Sequence, residues 1–397
     1  MTAHSHGAIP LKVDVQPFRI AVAEQALADL RDRLRRARWP DQIAAVGWDQ
    51  GTELGWLQEL VASWEAFDWR PVEREINACE QYRVEVGGLG VHVLVRPGAG
   101  PDPLPLLLTH GWPGSFVEYL DLIPLLADPA AHGGDPADAF TVVVPSLPGY
   151  GFSDRPNVTG VTSATVAGLW STLMTAGFGY PKFGAHGTDI GAGVTARLAR
   201  ADPEHVIGIH LAAASFPPPP RPWTTAEAEY FAAEERWDEE EGGYSAIQAT
   251  KPQTLAYGLT DSPAGLAAWL GEKYHDWSDR GPGGEPLLPR HRLLATLTLY
   301  WVTGTAASSL RPYWEYRHHG EPLAPCHRPP VPAGFTILAR ELGAPPPREL
   351  AERYYDLRRW TELPSGGHFP ALEVPELLAA ELRAFFRPFR RPDPGPL

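Results

Sequence analysis

The chain has 397 residues, 44% of them hydrophobic, with 14 tryptophans and a formal net charge of −14. Such a length and apolar content supply a large packed core and exclude a disordered chain. The acidic balance leaves no basic stripe for a phosphate backbone, which excludes nucleic acid as a partner, and its plain meaning is solubility. The two cysteines, Cys79 and Cys326, lie far apart and in no metal-ligand spacing, so neither a disulfide framework nor a metal site is expected. No window approaches the ~20 apolar residues of a membrane span. Residues 1–10 lack the basic-then-apolar pattern of a secretory signal. A soluble, cytoplasmic protein without a membrane anchor is the expectation.

Leu27, Leu30 and Leu34 recur at helical spacing in a charged segment that stops at Trp39-Pro40. A second amphipathic segment puts Leu57, Leu60, Val61 and Trp64 on one face. Together with Trp39, Trp48, Trp56 and Trp69, these residues mark 1–90 as an arm packed onto the rest of the chain, and its tryptophans could also serve a homodimer. Segments 82–86 and 91–95 flank Gly87-Gly88-Leu89-Gly90 and read as a hairpin. Apolar runs at 104–109 and 140–144 read as strands that end in glycine- and proline-rich loops, while 119–126 and 166–176 carry helical spacing. Strands alternating with helices imply βαβ units and a parallel sheet, whose chemistry gathers at the carboxyl ends of its strands.

The next apolar run ends in Gly187-Thr188-Asp189-Ile190-Gly191, and a helical segment follows at 192–199. Glycines two residues either side of a central nucleophile suit a strained strand-to-helix elbow. A serine there would point to acyl transfer; an aspartate attacks carbon and becomes an ester that water must open. After a strand at 206–211, Pro217 to Pro220 open a long helical stretch, which ends near Gly320. A second proline passage, 322–332, leads to a strand at 335–339. The division expected is an arm at 1–90, a core in two parts at 91–215 and 321–397, and a mainly helical cap at 216–320.

A nucleophilic carboxylate needs three helpers. His368, in a glycine-rich loop before a helix at 374–386, is the base to activate water, because hydrolases of this sheet type run nucleophile, acid, histidine along the chain. Glu341, after the strand at 335–339, is the acid to orient it; Asp356, in a helical run, and Glu362, at a strand, are its rivals. The loop Thr109-His110-Gly111-Trp112-Pro113-Gly114 supplies the oxyanion site, with the amides of Trp112 and Ile190 as donors and His110, Gly111 and Pro113 beside the substrate.

The motifs His110-Gly111-Trp112-Pro113-Gly114-Ser115-Phe116 and Pro145-Ser146-Leu147-Pro148-Gly149-Tyr150-Gly151-Phe152-Ser153, with Arg-Ala-Arg-Trp-Pro at 36–40, resemble those of the epoxide hydrolases of microsomal type. The resemblance covers nearly the whole chain. It implies an α/β-hydrolase fold, a mostly parallel central sheet flanked by helices with a helical cap and an N-terminal helical arm. It implies a soluble bacterial form that needs no cofactor and turns a small-molecule epoxide plus water into a vicinal diol, in detoxification or natural-product biosynthesis. It also implies two cap tyrosines that donate protons to the epoxide oxygen. The contexts Gly243-Tyr244-Ser245 and Arg311-Pro312-Tyr313-Trp314 point to Tyr244 and Tyr313, with Tyr257, Tyr300 and Tyr316 as neighbours that compete. The family's elbow usually reads Gly-Asp-Trp-Gly; here Ile190 follows the aspartate, which keeps the amide and changes the wall.

Two other readings start from the same residues. A haloalkane dehalogenase also uses an elbow aspartate, but it commonly takes a halide-binding N–H from a tryptophan where Ile190 stands. A non-catalytic hydrolase-fold protein would bind a ligand in the same pocket, and a fold alone implies no activity.

Overall fold

Interior strands of a sheet covered on both faces must be apolar along their whole length. The runs rich in valine, isoleucine and leucine meet that requirement here, in a computed structural model that describes residues 13–390 except 324, 326 and 327. Residues 1–10, Cys326 and part of the second proline passage therefore lie outside the described residues. The chain begins β1 (Asp14–Pro17), α1 (Glu24–Arg35), α2 (Leu54–Glu65), α3 (Arg70–Ile76), β2 (Glu80–Val86), β3 (Leu89–Arg96), β4 (Leu104–Thr109), α4 (Leu122–Ala127) and β5 (Phe140–Pro145). It continues α5 (Ser163–Thr172), β6 (Phe183–Thr188), α6 (Ile190–Ala201) and β7 (Val206–Ala212). Helices alone follow: α7 (Thr225–Glu241), α8 (Gly243–Thr250), α9 (Pro252–Asp261), α10 (Pro263–Asp276), α11 (Arg290–Thr303) and α12 (Ala306–His319). The sheet resumes with β8 (Pro332–Ile337), α13 (Arg348–Tyr354), β9 (Asp356–Glu362), α14 (Pro370–Glu373) and α15 (Pro375–Phe386).

The strands form one sheet in the order β1-β2-β3-β5-β4-β6-β7-β8-β9. β1, β2, β3 and β5 pair antiparallel, and every pair from β5 to β9 is parallel. The β2–β3 hairpin turns on Gly87 and Gly88 at φ 58° and 77°, the left-handed pair that a two-residue turn demands. Successive residues of β4 separate the two sides of the sheet. Leu107 joins the cluster of Trp170, Leu198 and the helical insertion, whereas Leu106 and Leu108 join that of Leu122, Leu382 and Phe386. The arm packs inside the same chain: Leu30, Leu34, Leu60 and Trp64 share a cluster with Leu270 and Leu294, and Trp64 Nε1 donates to Thr298 Oγ1 at 2.8 Å.

Several boundaries differ from the sequence reading. The strand expected at 335–339 is Pro332–Ile337, because its pairing begins at Pro332 opposite Asp356; a proline is tolerated at the first position of a strand. Asp356 accordingly opens β9 and is in no helix. α1 ends at Arg35, so Trp39 lies beyond it and is 37% exposed, unlike the buried Trp64 and Trp69. Among the described residues no single helix is long and apolar enough to cross a membrane.

Candidate active site

β6 is buried at every residue and lies between β4 and β7, so whatever follows it emerges at the middle of the sheet's carboxyl edge. Asp189 follows it directly at φ 54° and ψ −123°, a conformation that L residues adopt only under constraint, and α6 begins at the next residue. The flanking glycines are forced by proximity. A Cβ on Gly187 would lie 2.2 Å from the Gly191 carbonyl oxygen, and one on Gly191 would lie 2.0 Å from that of Thr109. The aspartate thus sits at a helix N-terminus, where backbone N–H groups favour an anion.

β4 pairs with β6 so that Thr109 is opposite Gly187, which brings the 110–115 loop over the elbow. The Trp112 N–H donates to Asp189 Oδ1 at 2.8 Å, and the Ile190 amide beside it favours the charge of the same carboxylate. Gly111 has no room for a side chain, since its Cβ would meet Asp189 Oδ1 at 2.3 Å. The Pro113 and Gly114 carbonyls accept from Tyr274 on α10 (3.2 Å) and Tyr300 on α11 (2.9 Å), so the helical insertion pins this loop from above. His110 departs from its expected place beside the substrate. It is fully buried, its Nδ1 bonds to the Gly111 carbonyl (3.0 Å) and its Nε2 accepts from the Leu147 N–H (3.2 Å). Burial depresses its pKa to about 4, so the neutral ring serves to tie two loops together.

Glu341 lies in the turn after β8, where its Oε1 accepts from the Leu342 N–H (3.0 Å) and from His368 Nδ1 (2.7 Å). It, and not Asp356 or Glu362, is the acid bonded to the histidine. His368 Nε2 stands 3.7 Å from Asp189 Oδ2 and has no hydrogen-bond partner of its own. Burial works against a charged imidazole, yet Glu341 above all, then Asp189 and Glu373, lift the His368 pKa to about 9. Burial also raises Asp189, against the pull of His368 and the two amides.

Tyr244 on α8 and Tyr313 on α12 meet edge to face with ring centroids 5.8 Å apart. Trp112 is the floor beneath both, stacked on Tyr244 at 5.3 Å and edge-on to Tyr313 at 5.7 Å. Burial, reinforced by the charge on Asp189, holds both phenols protonated well beyond their usual range. α12 continues through Pro312. The competing tyrosines are spent elsewhere: Tyr257 and Tyr316 are exposed, and Tyr300 is committed to Gly114.

Two residues near the site have no counterpart in the sequence reading. Glu118 is buried, within 3.5 Å of Thr188 Oγ1, and burial lifts its pKa to about 8 with help from Asp189. Its one signal was an acid inside the apolar turn at Phe116–Tyr119. Trp277, after α10, places its ring 5.0 Å from His368 and 5.2 Å from Tyr244; nothing local marked it among fourteen tryptophans.

A buried strand leading through a strained turn into a helix, a histidine after β9 bonded to an acid after the adjacent β8, and backbone donors from the neighbouring loop define an α/β-hydrolase with a carboxylate at its elbow. Residues 15–119 match the family described as "Epoxide hydrolase N terminus", and residues 105–248 match the "alpha/beta hydrolase fold" family. A protein of Stigmatella aurantiaca whose name assigns it provisionally to the epoxide hydrolases is 43% identical over 95% of this chain and 86% of its own length. Epoxide hydrolase 1 of Oryctolagus cuniculus is 32% identical over 94% and 88%. The solved epoxide hydrolase of Aspergillus niger superposes with a TM-score of 0.83 at 29% identity, covering 96% of this chain and 98% of that one. The chain belongs to the epoxide hydrolases, enzymes that add water to an epoxide.

Proposed function

We propose that this enzyme opens its epoxide in two steps through an ester on Asp189. The observation that carries the proposal is the division of labour between the two carboxylate oxygens. Oδ1 is held by the Trp112 N–H at 2.8 Å, while Oδ2 faces the unpartnered Nε2 of His368. Oδ2 attacks one ring carbon, the carbon–oxygen bond breaks, and the alkoxide takes a proton from the Tyr244–Tyr313 pair. Water, losing a proton to His368 Nε2, then adds to the ester carbonyl. The charge that develops on Oδ1 stays between the Trp112 and Ile190 amides, and Glu341 stabilises the imidazolium. Collapse expels the diol oxygen, which takes the proton from His368; the water oxygen remains in Asp189, and the carboxylic acid so formed returns its proton to His368.

The charges also supply a sequence of events. His368 is held protonated in the resting enzyme partly by the Asp189 carboxylate. Esterification removes that negative charge, so the imidazolium gives up its proton more readily, to the phenolate that ring opening leaves, just when a base is needed. One turnover with enzyme in excess, in oxygen-18 water, is expected to put the label in the Asp189 peptide and none in the diol. Label in the diol with an unlabelled enzyme would sink the covalent route.

A further inference from the structure

Four consecutive backbone N–H groups of the loop carrying His368 have specific partners. Gly366 donates to Asp279 Oδ2, Gly367 to Glu373 Oε2, His368 to the Trp277 carbonyl and Phe369 to Glu373 Oε1, each at 2.9 Å. Glu373 Oε2 accepts the Asp279 N–H as well, at 2.6 Å, which closes a ring between the histidine loop and residues 277–279. Those residues follow α10 and belong to the helical insertion that carries Tyr244. The contact is backbone against backbone: a Cβ on Gly367 would lie 2.5 Å from the Trp277 carbonyl oxygen and 2.7 Å from the Asp279 nitrogen. Asp279 and Glu373 are both buried. Dehydrating two carboxylates is costly, and a loop that needed only closure could satisfy its amides with water.

We propose that Asp279 and Glu373 are positioning residues for ester hydrolysis, fixing His368 Nε2 over the Asp189 carbonyl carbon and tying that position to the insertion that holds the proton-donating tyrosines. The proposal rests on the two-step reading above. Ester formation uses Asp189 and the phenols, whereas only hydrolysis needs the base placed to a fraction of an ångström; a 1 Å error there costs about 100-fold. Around His368 the titratable groups are Glu341 and Asp189 beside it and Glu373 and Glu118 further off; Asp279 is itself faced by Arg340 at 3.7 Å. Glu373, which burial raises to about 7, therefore adds to the basicity of His368 once it is ionised, as well as to its position.

The test separates the two steps by rapid quench and intact-protein mass, with styrene oxide as probe. Asp279→Ala is expected to form ester within about threefold of the wild-type rate and to hydrolyse it roughly 10- to 100-fold more slowly, so that alkyl-enzyme accumulates. Asp279→Asn keeps an oxygen for the Gly366 N–H and should recover most of the loss. Glu373→Gln should also shift the pH profile of hydrolysis to lower pH, because His368 loses a neighbouring negative charge. Equal slowing of both steps, or wild-type hydrolysis in Asp279→Ala with an unmoved profile in Glu373→Gln, would overturn the proposal. His368→Gln is the control. A trapped ester there keeps the two-step reading standing whatever the other variants do, and no adduct there removes that reading and the proposal with it.

Discussion

Ile190 combines two functions that a substitution can separate. Its backbone amide favours the charge of the Asp189 carboxylate, and Ile190 lines a narrow cavity of about 40 Å³ with Leu147, Tyr150, Val161, Val194 and Pro312. Ile190→Trp leaves the amide in place and fills that cavity. Selectivity for a small epoxide over a bulky aryl epoxide, read as the ratio of kcat/KM values, is expected to rise by about 10-fold or more, the worth of one or two methylenes of apolar pocket. Hydrolysis of a preformed ester of the small epoxide should change far less. An equal loss for every epoxide would mean that the side chain is no wall. At this scale the sequence was informative where a residue's role depends on a local pattern. Asp189 has its glycines, Trp112 its loop, and His368 its place late in the chain. It was silent where the role is set by distant partners. Nothing near His110 announces that its two nitrogens are taken by Gly111 and by Leu147. Nothing near Asp279 announces an amide 87 residues away.

Among elements, arm, insertion and sheet meet at one side chain. Arg292 of α11 is 3% exposed and makes paired hydrogen bonds to Glu75 at the end of α3 (2.8 and 2.6 Å) and to Asp121 just before α4 (2.9 and 2.6 Å). Such planar, two-pronged contacts order three pieces of chain at once. Arg292→Met keeps the apolar stem and strands both carboxylates. Because Glu75 and Asp121 are 43% and 36% exposed, they rehydrate, and the cost is about 2–3 kcal/mol, below the full penalty of a buried broken pair. Thermal unfolding is expected to drop by several degrees, and an unchanged Tm would show the junction to be held by apolar packing alone. Strands β2 to β8 and the helices α1, α2, α4, α5, α6 and α15 could be placed from apolar period and turn residues, because each such signal is complete within about ten residues; β1, β9 and the separate helices of the insertion could not. The junction could not, since its partners come from segments 171 and 217 residues away. The ends of β8 shifted, and Asp356 moved from an expected helix to the start of β9, for the same reason: pairing decides where a strand runs, and pairing is not local.

For the whole molecule, the buried titratable groups around the site make folding depend on pH, and on the alkaline side the larger contributions share one sign. His368 is raised from 6.5 to about 9, so its contribution is complete below 6.5 and is lost as pH rises through 9. Glu118 is raised from 4.5 to about 8 by burial; folding favours its protonated form, and that contribution is lost as pH rises through 8. Four buried histidines, His92, His110, His186 and His210, are depressed instead; unfolded they are still roughly a quarter protonated at pH 7, so they oppose the fall by well under about 1 kcal/mol, nearly all of it below pH 8. Stability should therefore fall between pH 7 and 9, by on the order of 2–4 kcal/mol at about 1.4 kcal/mol per proton and pH unit. Glu118→Gln keeps the shape and cannot ionise. Its Tm should decline less steeply than that of the wild type over this range and exceed it at pH 9, as thermal unfolding at pH 7, 8 and 9 would record. Parallel slopes in the two proteins would show that Glu118 is ionised throughout and that its charge is neutralised by the site. In that case the negative charge next to Asp189 would be doubled, and His368 would be the group that holds both carboxylates in place.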